Sequence, residues 1–161
     1  MYSLSHCNAF FRARFHSKGM TLFGIMLKGL IMFQAETKGI VVTVTAEYQP
    51  EDSQPQNEHW YFAYTVEITN RSEETVQLLS RHWKITDGLG RLREVEGLGV
   101  VGEQPILNPG DQFIYTSGCP MPTPTGIMHG SYRMMGERGV FFDVEIPAFS
   151  LDAPDVRRVL N

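Results

Sequence analysis

The strongest chemical signature in this chain is a short glycine-rich segment. Gly97, Gly99 and Gly102 have the spacing GxGxxG, which in dinucleotide-binding proteins brings a pyrophosphate to the N-terminus of a helix. A strand is predicted before this segment, as such a site requires. Pro105, however, follows three residues after the last glycine and argues against a helix at this point. The motif alone is therefore weak evidence for a nucleotide site.

The charges around the glycines also argue against phosphate binding. Glu94, Glu96 and Glu103 flank the segment and would repel a phosphate group. We therefore expect a bulged or tightly turning loop, in which Val100 and Val101 tuck against the edge of the fold. The alternative is a nest of backbone N–H groups that binds an anion, in a hydrolase of phosphorylated compounds.

The same three glutamates are the best candidates for a metal site. Glu94 and Glu96 are two residues apart and therefore share one face of a predicted strand. With Glu103 they could form a loose oxygen site of the kind that Mg²⁺ accepts. The three histidines of residues 36–161 are far apart in sequence and form no HxH or HxxxH pair: His59, His82 and His129. A solvated acidic face is the preferred interpretation, so we predict no cofactor. A binding protein that responds to a small ligand or a divalent cation is the alternative.

A cysteine nucleophile is the remaining catalytic option. Cys119 lies in a proline-rich segment, and His129 follows ten residues later, so the two could form a dyad only if the fold joined them. No lysine or arginine adjoins Cys119 in the sequence to favour its thiolate. We predict an unreactive cysteine, no catalytic residue and a protein that is not an enzyme.

Charge is distributed unevenly along the 161-residue chain. Residues 1–35 contain four bases and no acid, whereas residues 36–161 hold the other 10 bases against all 18 acids, a net charge of −8. An acidic body argues against nucleic acid or an anionic membrane as a partner. The two cysteines cannot form a disulfide framework, which favours a cytoplasmic location.

The basic segment at the N-terminus resembles a leader. Its apolar run, residues 21–33, spans 13 residues and contains Lys28, so it is too short to cross a bilayer. We assign residues 1–33 to a leader outside the fold and residues 34–161 to one domain. Translation from a later methionine, at Met20, Met26 or Met32, is the preferred explanation of the leader, and a targeting segment is the alternative.

The body of the chain shows strands rather than helices. β-Branched and aromatic residues recur with period two in short runs separated by turn residues. Seven or eight such strands predict an all-β, antiparallel β-sandwich of the immunoglobulin or fibronectin type III kind. Trp60 and Trp83 are the expected core anchors. A short helix is expected at residues 153–160.

Several motifs in unbroken order resemble the ApaG family, also called CorD, over about Gly39 to Phe149. They include Leu79-Ser-Arg-His-Trp-Lys-Ile-Thr-Asp-Gly-Leu-Gly90, Glu94-Val-Glu-Gly-Leu-Gly-Val-Val-Gly-Glu-Gln-Pro105 and Thr123-Pro-Thr-Gly-Ile-Met-His-Gly-Ser-Tyr-Arg-Met134. The resemblance implies a fibronectin type III-like fold in a cytosolic bacterial protein linked to cobalt tolerance and magnesium efflux. Related eukaryotic domains resemble protein-binding modules. We therefore predict a non-catalytic module that binds protein partners and whose sheet edges allow a homo-oligomer.

Overall fold

A computed structural model describes residues 31–154, which form two antiparallel sheets. The strands of this part of the chain are, in order, β1 (Met32–Thr37), β2 (Ile40–Tyr48), β3 (Trp60–Asn70), β4 (Val76–Asp87), β5 (Leu92–Leu98), β6 (Ile106–Leu107), β7 (Gln112–Met121), β8 (Thr125–Gly136) and β9 (Phe141–Asp152). The first sheet has the order β1-β2-β3-β7, and the second has the order β5-β4-β8-β9, with β6 also paired to β4. A single 3-10 turn, Pro55–Asn57, interrupts this pattern within the described residues.

The β-sandwich prediction is confirmed, and the alternation of residues explains it. In β3, the even-numbered residues from Phe62 to Ile68 are buried and the residues between them are partly exposed. Trp83 is the anchor that the sequence predicted: it is 2% exposed and packs edge-on against rings from both sheets, including Tyr64 and Phe149. Trp60 is only partly buried, because it begins β3 at the end of the first sheet.

The boundary that the sequence placed after residue 33 is too late. Met32 and Phe33 belong to β1, and Met32 lies opposite Thr45 of β2. Phe33 packs against the core, with its ring 6.3 Å from that of Phe149. These two residues therefore help to form the sandwich, although they continue the apolar run of the leader. Residues 1–30 of the leader, and most of the helix expected over residues 153–160, lie outside the described residues.

Hydrogen bonds connect the two sheets along both sides of the sandwich. On one side, the backbone N–H of Glu145 in β9 donates to Oγ1 of Thr37 in β1, at 3.1 Å. On the other side, β5 and β7 are the edge strands of their sheets. Arg93 of β5 reaches across this side, and its Nη2 lies 3.3 Å from the carbonyl oxygen of Pro120 in β7.

Two buried tyrosines join the sheets inside the sandwich. The hydroxyl groups of Tyr115 in β7 and Tyr132 in β8 are hydrogen-bonded to each other. Burial raises the pKa of Tyr115 and that of Tyr132 well above the ordinary value for a phenol. Both hydroxyl groups therefore stay protonated near neutral pH and act as a structural link.

Candidate functional site

The glycine-rich segment forms a tight turn immediately after β5. The N–H of Val100 donates to the carbonyl of Glu103 at 2.8 Å, and the N–H of Glu103 donates back at 2.9 Å. The two residues between them, Val101 and Gly102, have φ angles of 45° and 81°, as in the two-residue turns that close β-hairpins. Val100 is fully buried and Val101 packs against the core, so the sequence-based expectation for this loop matches the geometry.

The other two glycines of the motif meet different structural demands. Gly99 has a φ of 57°, and a Cβ at this position would lie 2.1 Å from the carbonyl oxygen of Glu103. Gly97 lies within β5, opposite Arg81 of β4, and a Cβ there would lie 3.0 Å from Arg81 Nη1. Gly97 thus leaves space for a guanidinium group, and Gly99 allows the sharp turn.

The polar groups around the turn are used to hold it in place. The N–H of Gly99 donates to the carbonyl of Leu79 at 2.8 Å. Arg81 Nη1 donates to the carbonyl oxygens of Leu98 and Gly99, at 3.1 and 2.8 Å. Because the N–H groups of Gly99, Val100 and Glu103 already donate to carbonyl groups, they cannot also cradle a phosphate.

The glutamates proposed as metal ligands separate into a pair and a single residue. Glu94 and Glu96 lie on the outer face of β5, whereas Glu103 belongs to the turn. His82 of β4 lies beside the pair: its Nε2 is 2.6 Å from Glu94 Oε2 and 3.5 Å from Glu96 Oε1. Among the residues that the structure describes, no group of three or more His, Cys, Asp or Glu side chains is arranged to hold a metal ion.

The contact between His82 and the glutamates was missed by the sequence analysis. His82 and Glu94 are 12 residues apart, and only the pairing of β4 with β5 brings them together. The available signal was the period-two alternation, which places His82, Glu94 and Glu96 on the outer faces of their strands. It becomes informative only once the register of the hairpin is known.

The structure separates the proposed cysteine and histidine. Cys119 is 2% exposed in β7 of the first sheet, whereas His129 is an exposed residue of β8 in the second sheet. The neighbour that the sequence did not reveal is Arg93, whose Nη2 lies 3.7 Å from Cys119 Sγ and which also donates to Pro120. This contact joins the two edge strands.

Exposed leucines flank the glutamates at both ends of β5. Leu92 is 57% exposed and Leu98 is 78% exposed, and both share the outer face with Glu94 and Glu96. We refer to these four residues as the β5 surface. Within residues 31–154, β5 is the last strand of its sheet, so its outer backbone edge has no neighbouring strand there and can accept an extended chain. Within residues 31–154, no helix is long and apolar enough to cross a membrane.

Comparisons with known proteins agree with the fold and the motifs. A family model described as the ApaG domain matches residues 50–136. Protein ApaG of Methylocella silvestris is 61% identical over 130 residues, which is 81% of this chain and all of that protein. Protein ApaG of Methylobacterium sp. (strain 4-46) is 58% identical over the same shares of the two chains.

A solved structure extends the agreement to three dimensions. The crystal structure of the putative ApaA protein from Bordetella pertussis has a TM-score of 0.70 and 53% identity, and the match covers 72% of this chain and 94% of that one. The family model, the related sequences and the solved structure all lead to the same conclusion. The chain belongs to the ApaG family.

Proposed function

We propose that the protein is a non-catalytic interaction module that binds an extended segment of a protein partner at the β5 surface. The observation that carries this proposal is that β5 has a backbone side with no neighbouring strand in the described part of the chain and also two strongly exposed leucines. A segment added beside β5 would form backbone hydrogen bonds with the strand, and its alternate side chains would contact the outer face.

The side chains of β5 define the chemistry of such a partner. Leu92 and Leu98 are six residues apart on one face, a separation of roughly 20 Å along a strand. Glu94 and Glu96 lie between them, and His82 Nε2 lies 2.6 Å from Glu94 Oε2 and 3.5 Å from Glu96 Oε1. The segment that fits best therefore carries basic residues between two apolar ones, because opposite charges on neighbouring strands attract.

The positions of the candidate catalytic groups favour binding over catalysis. Cys119 and His129 lie in different sheets. The glycine turn uses its N–H groups for internal hydrogen bonds, and the buried tyrosine hydroxyls bond to each other. The prominent features of the sequence therefore have structural roles, and the exposed edge is available for a partner.

A response to divalent cations is the second candidate function. One observation favours it: the imidazole of His82 lies beside the carboxylates of Glu94 and Glu96 on the outer face. These three side chains are not arranged to hold a metal ion as they stand, so ion binding would require them to move. Calorimetric titration with Mg²⁺ and Co²⁺ tests this candidate. Heat of binding that is lost in His82→Ala would support it, and no heat with either ion would exclude it.

Co-purification from the lysate of the native organism tests the main proposal. The test variant is Leu92→Ser with Leu98→Ser, and the matched control is Val140→Ser, which changes an apolar residue that is 60% exposed in the turn before β9. We expect the wild type and the control to retain the same partner, and the double variant to lose it by roughly tenfold or more. Equal recovery with all three proteins would contradict the proposal.

A further inference from the structure

We propose that residues 10–16 of this chain bind its own β5 edge as an additional antiparallel strand and so compete with a partner for that edge. This segment, which we call the arginine segment, lies outside the described residues and has the sequence Phe10-Phe-Arg-Ala-Arg-Phe-His16. The inference rests on the proposed function, because it names the regulation of the same site. An edge that carries the chain's own segment accepts a partner less readily.

The first argument is that the charges match in sign and in spacing. Arg12 and Arg14 are two residues apart, as Glu94 and Glu96 are in β5. Residues two apart share one face of a strand, and opposite charges on neighbouring strands attract. An antiparallel pair matches the outer positions in the following order: Phe10 with Leu98, Arg12 with Glu96, Arg14 with Glu94 and His16 with Leu92.

The outer face beside β5 keeps a negative charge that such a strand would meet. On β4, His82 and Lys84 lie opposite Glu96 and Glu94, so two carboxylates share one lysine, and His82 adds a charge only when it is protonated. Residues 1–30 contain four bases and no acid. The face therefore attracts this part of the chain.

The second argument is the alternation of the arginine segment. Its remaining side chains are apolar and would turn toward the core: Phe11, Ala13 and Phe15. The same register sets Ala13 beside Val95, which packs against the core, and the two rings beside Gly97 and Arg93. Large side chains thus lie beside a glycine and beside a guanidinium that can stack on a ring, and the small one lies beside the valine.

The chain between the arginine segment and β1 is long enough for this pairing. Residues 17–30 are fourteen residues and can span about 45 Å when extended. β1 lies beside β9, because Thr37 is hydrogen-bonded to Glu145, and β9 and β5 stand at opposite ends of the order β5-β4-β8-β9. Three strand spacings and the gap between the sheets add up to about 25 Å. A tethered segment has an effective concentration of about 1 mM, so weak pairing suffices, and a partner that binds more tightly can displace it.

The other edge of the second sheet is less suited to the arginine segment. β9 also carries two acids two residues apart, Asp143 and Glu145. Asp143 Oδ1, however, already pairs with Arg133 Nε at 2.8 Å, and the backbone N–H of Glu145 donates to Thr37. β5 has no neighbouring strand on its outer side in the described part of the chain. We therefore expect pairing at β5, and β9 supplies a matched control.

Hydrogen exchange of the full 161-residue chain, without any partner, tests the inference. In the variant Arg12→Glu with Arg14→Glu, the N–H groups of Leu92–Leu98 should exchange about threefold faster than in the wild type, because the added strand no longer protects them. The matched control is Lys18→Glu with Lys28→Glu, which makes the same change of charge outside the segment and should exchange like the wild type. Thermal unfolding establishes that each variant is folded.

A charge reversal on β5 provides the decisive arm. Glu94→Lys with Glu96→Lys, added to the arginine variant, restores opposite charges and should restore the slow exchange. The same reversal on β9, Asp143→Lys with Glu145→Lys, should not.

Four outcomes would each overturn the inference: unchanged exchange in the arginine variant, faster exchange in the lysine control, no rescue by the β5 reversal, or rescue by the β9 reversal. Protection that rises with protein concentration would also overturn it, because the segment would then bind a second copy. Since no partner is present, these outcomes are independent of the co-purification test, and either experiment can fail while the other succeeds.

Discussion

Asn70 is a fully buried polar residue whose side chain uses its complete hydrogen-bonding capacity. Its Nδ2 donates to the carbonyls of Glu74 and Leu107, at 2.8 and 2.9 Å. Its Oδ1 accepts from the N–H and the hydroxyl of Ser72, at 2.9 and 2.7 Å. One amide group thus connects the turn after β3 with β6, at the end of the sandwich.

Replacing Asn70 should therefore be costly. We expect Asn70→Ala to lower the free energy of unfolding by about 3 kcal/mol, because it leaves buried backbone groups without partners. Asn57→Ala is the control, since Asn57 is exposed and its side chain donates to Oε1 of the exposed Gln54, and it should change the free energy by less than about 0.5 kcal/mol. Urea unfolding measures both values. Similar losses for the two variants would show that the Asn70 network does not stabilise the fold.

The carboxylate of Asp87 should make the free energy of unfolding depend on pH. Its burial raises the carboxyl pKa, but hydrogen bonds from the backbone and side chain of Arg91 and the backbone of Leu89 outweigh burial, so the pKa falls below its ordinary value of 3.8. The distances are 2.9 Å from the Leu89 nitrogen, 3.0 Å from the Arg91 nitrogen and 2.6 Å from Arg91 Nε. A carboxylate with a lowered pKa in the folded state stabilises the protein above its unfolded pKa.

The stabilisation by Asp87 should disappear in acid. The wild type should be more stable than Asp87→Asn at neutral pH, and the difference should shrink as the pH falls below about 4 and through the folded pKa. Denaturant unfolding at a series of pH values measures this difference. If the difference in free energy of unfolding between the wild type and Asp87→Asn stayed constant down to about pH 2, the lowered pKa of Asp87 would be contradicted.

At the scale of elements, the hairpin turn after β5 makes the sharpest prediction. Gly99→Ala should lower the free energy of unfolding by about 2 kcal/mol or more, because a positive φ coincides with a collision against Glu103. Gly102→Ala should cost only about 1 kcal/mol, because its φ is positive but its Cβ would meet no atom within 4 Å. Urea unfolding compares the two variants.

The same variants test the phosphate-binding interpretation of the turn. The wild type should show no rise in Tm with ATP or NAD, because the N–H groups of Gly99, Val100 and Glu103 are already bonded within the protein. A rise with either nucleotide that is absent in Gly99→Ala would mean that the turn binds phosphate.

At the scale of the whole molecule, the sequence predicts what depends on local pattern. Alternation in β3 predicted which of its residues face the core, and the glycine spacing with Pro105 predicted a turn rather than a nucleotide-binding helix. Contacts between distant strands could not be predicted. The pairing of His82 with Glu94 depends on the register of β4 and β5, and the link from Arg93 to Pro120 depends on the two sheets facing each other.

The first strand of the domain, too, could not be predicted from the local sequence pattern. Residues 32–37 carry a weak strand signal, because Met32 and Phe33 extend an apolar run that reads as part of the leader. Only the pairing of β1 with β2 and the contact between Phe33 and Phe149 place them in the fold. A local pattern cannot show that a strand finds a partner later in the chain.

Hydrogen exchange shows directly whether a partner binds at the β5 edge. The protein would be compared alone and with the partner that co-purifies with it, and exchange would be followed peptide by peptide by mass spectrometry. Backbone N–H groups on the free side of a strand become protected when another strand pairs with them. We expect new protection within Leu92–Leu98. Protection confined to other parts of the chain, with β5 unchanged, would contradict it.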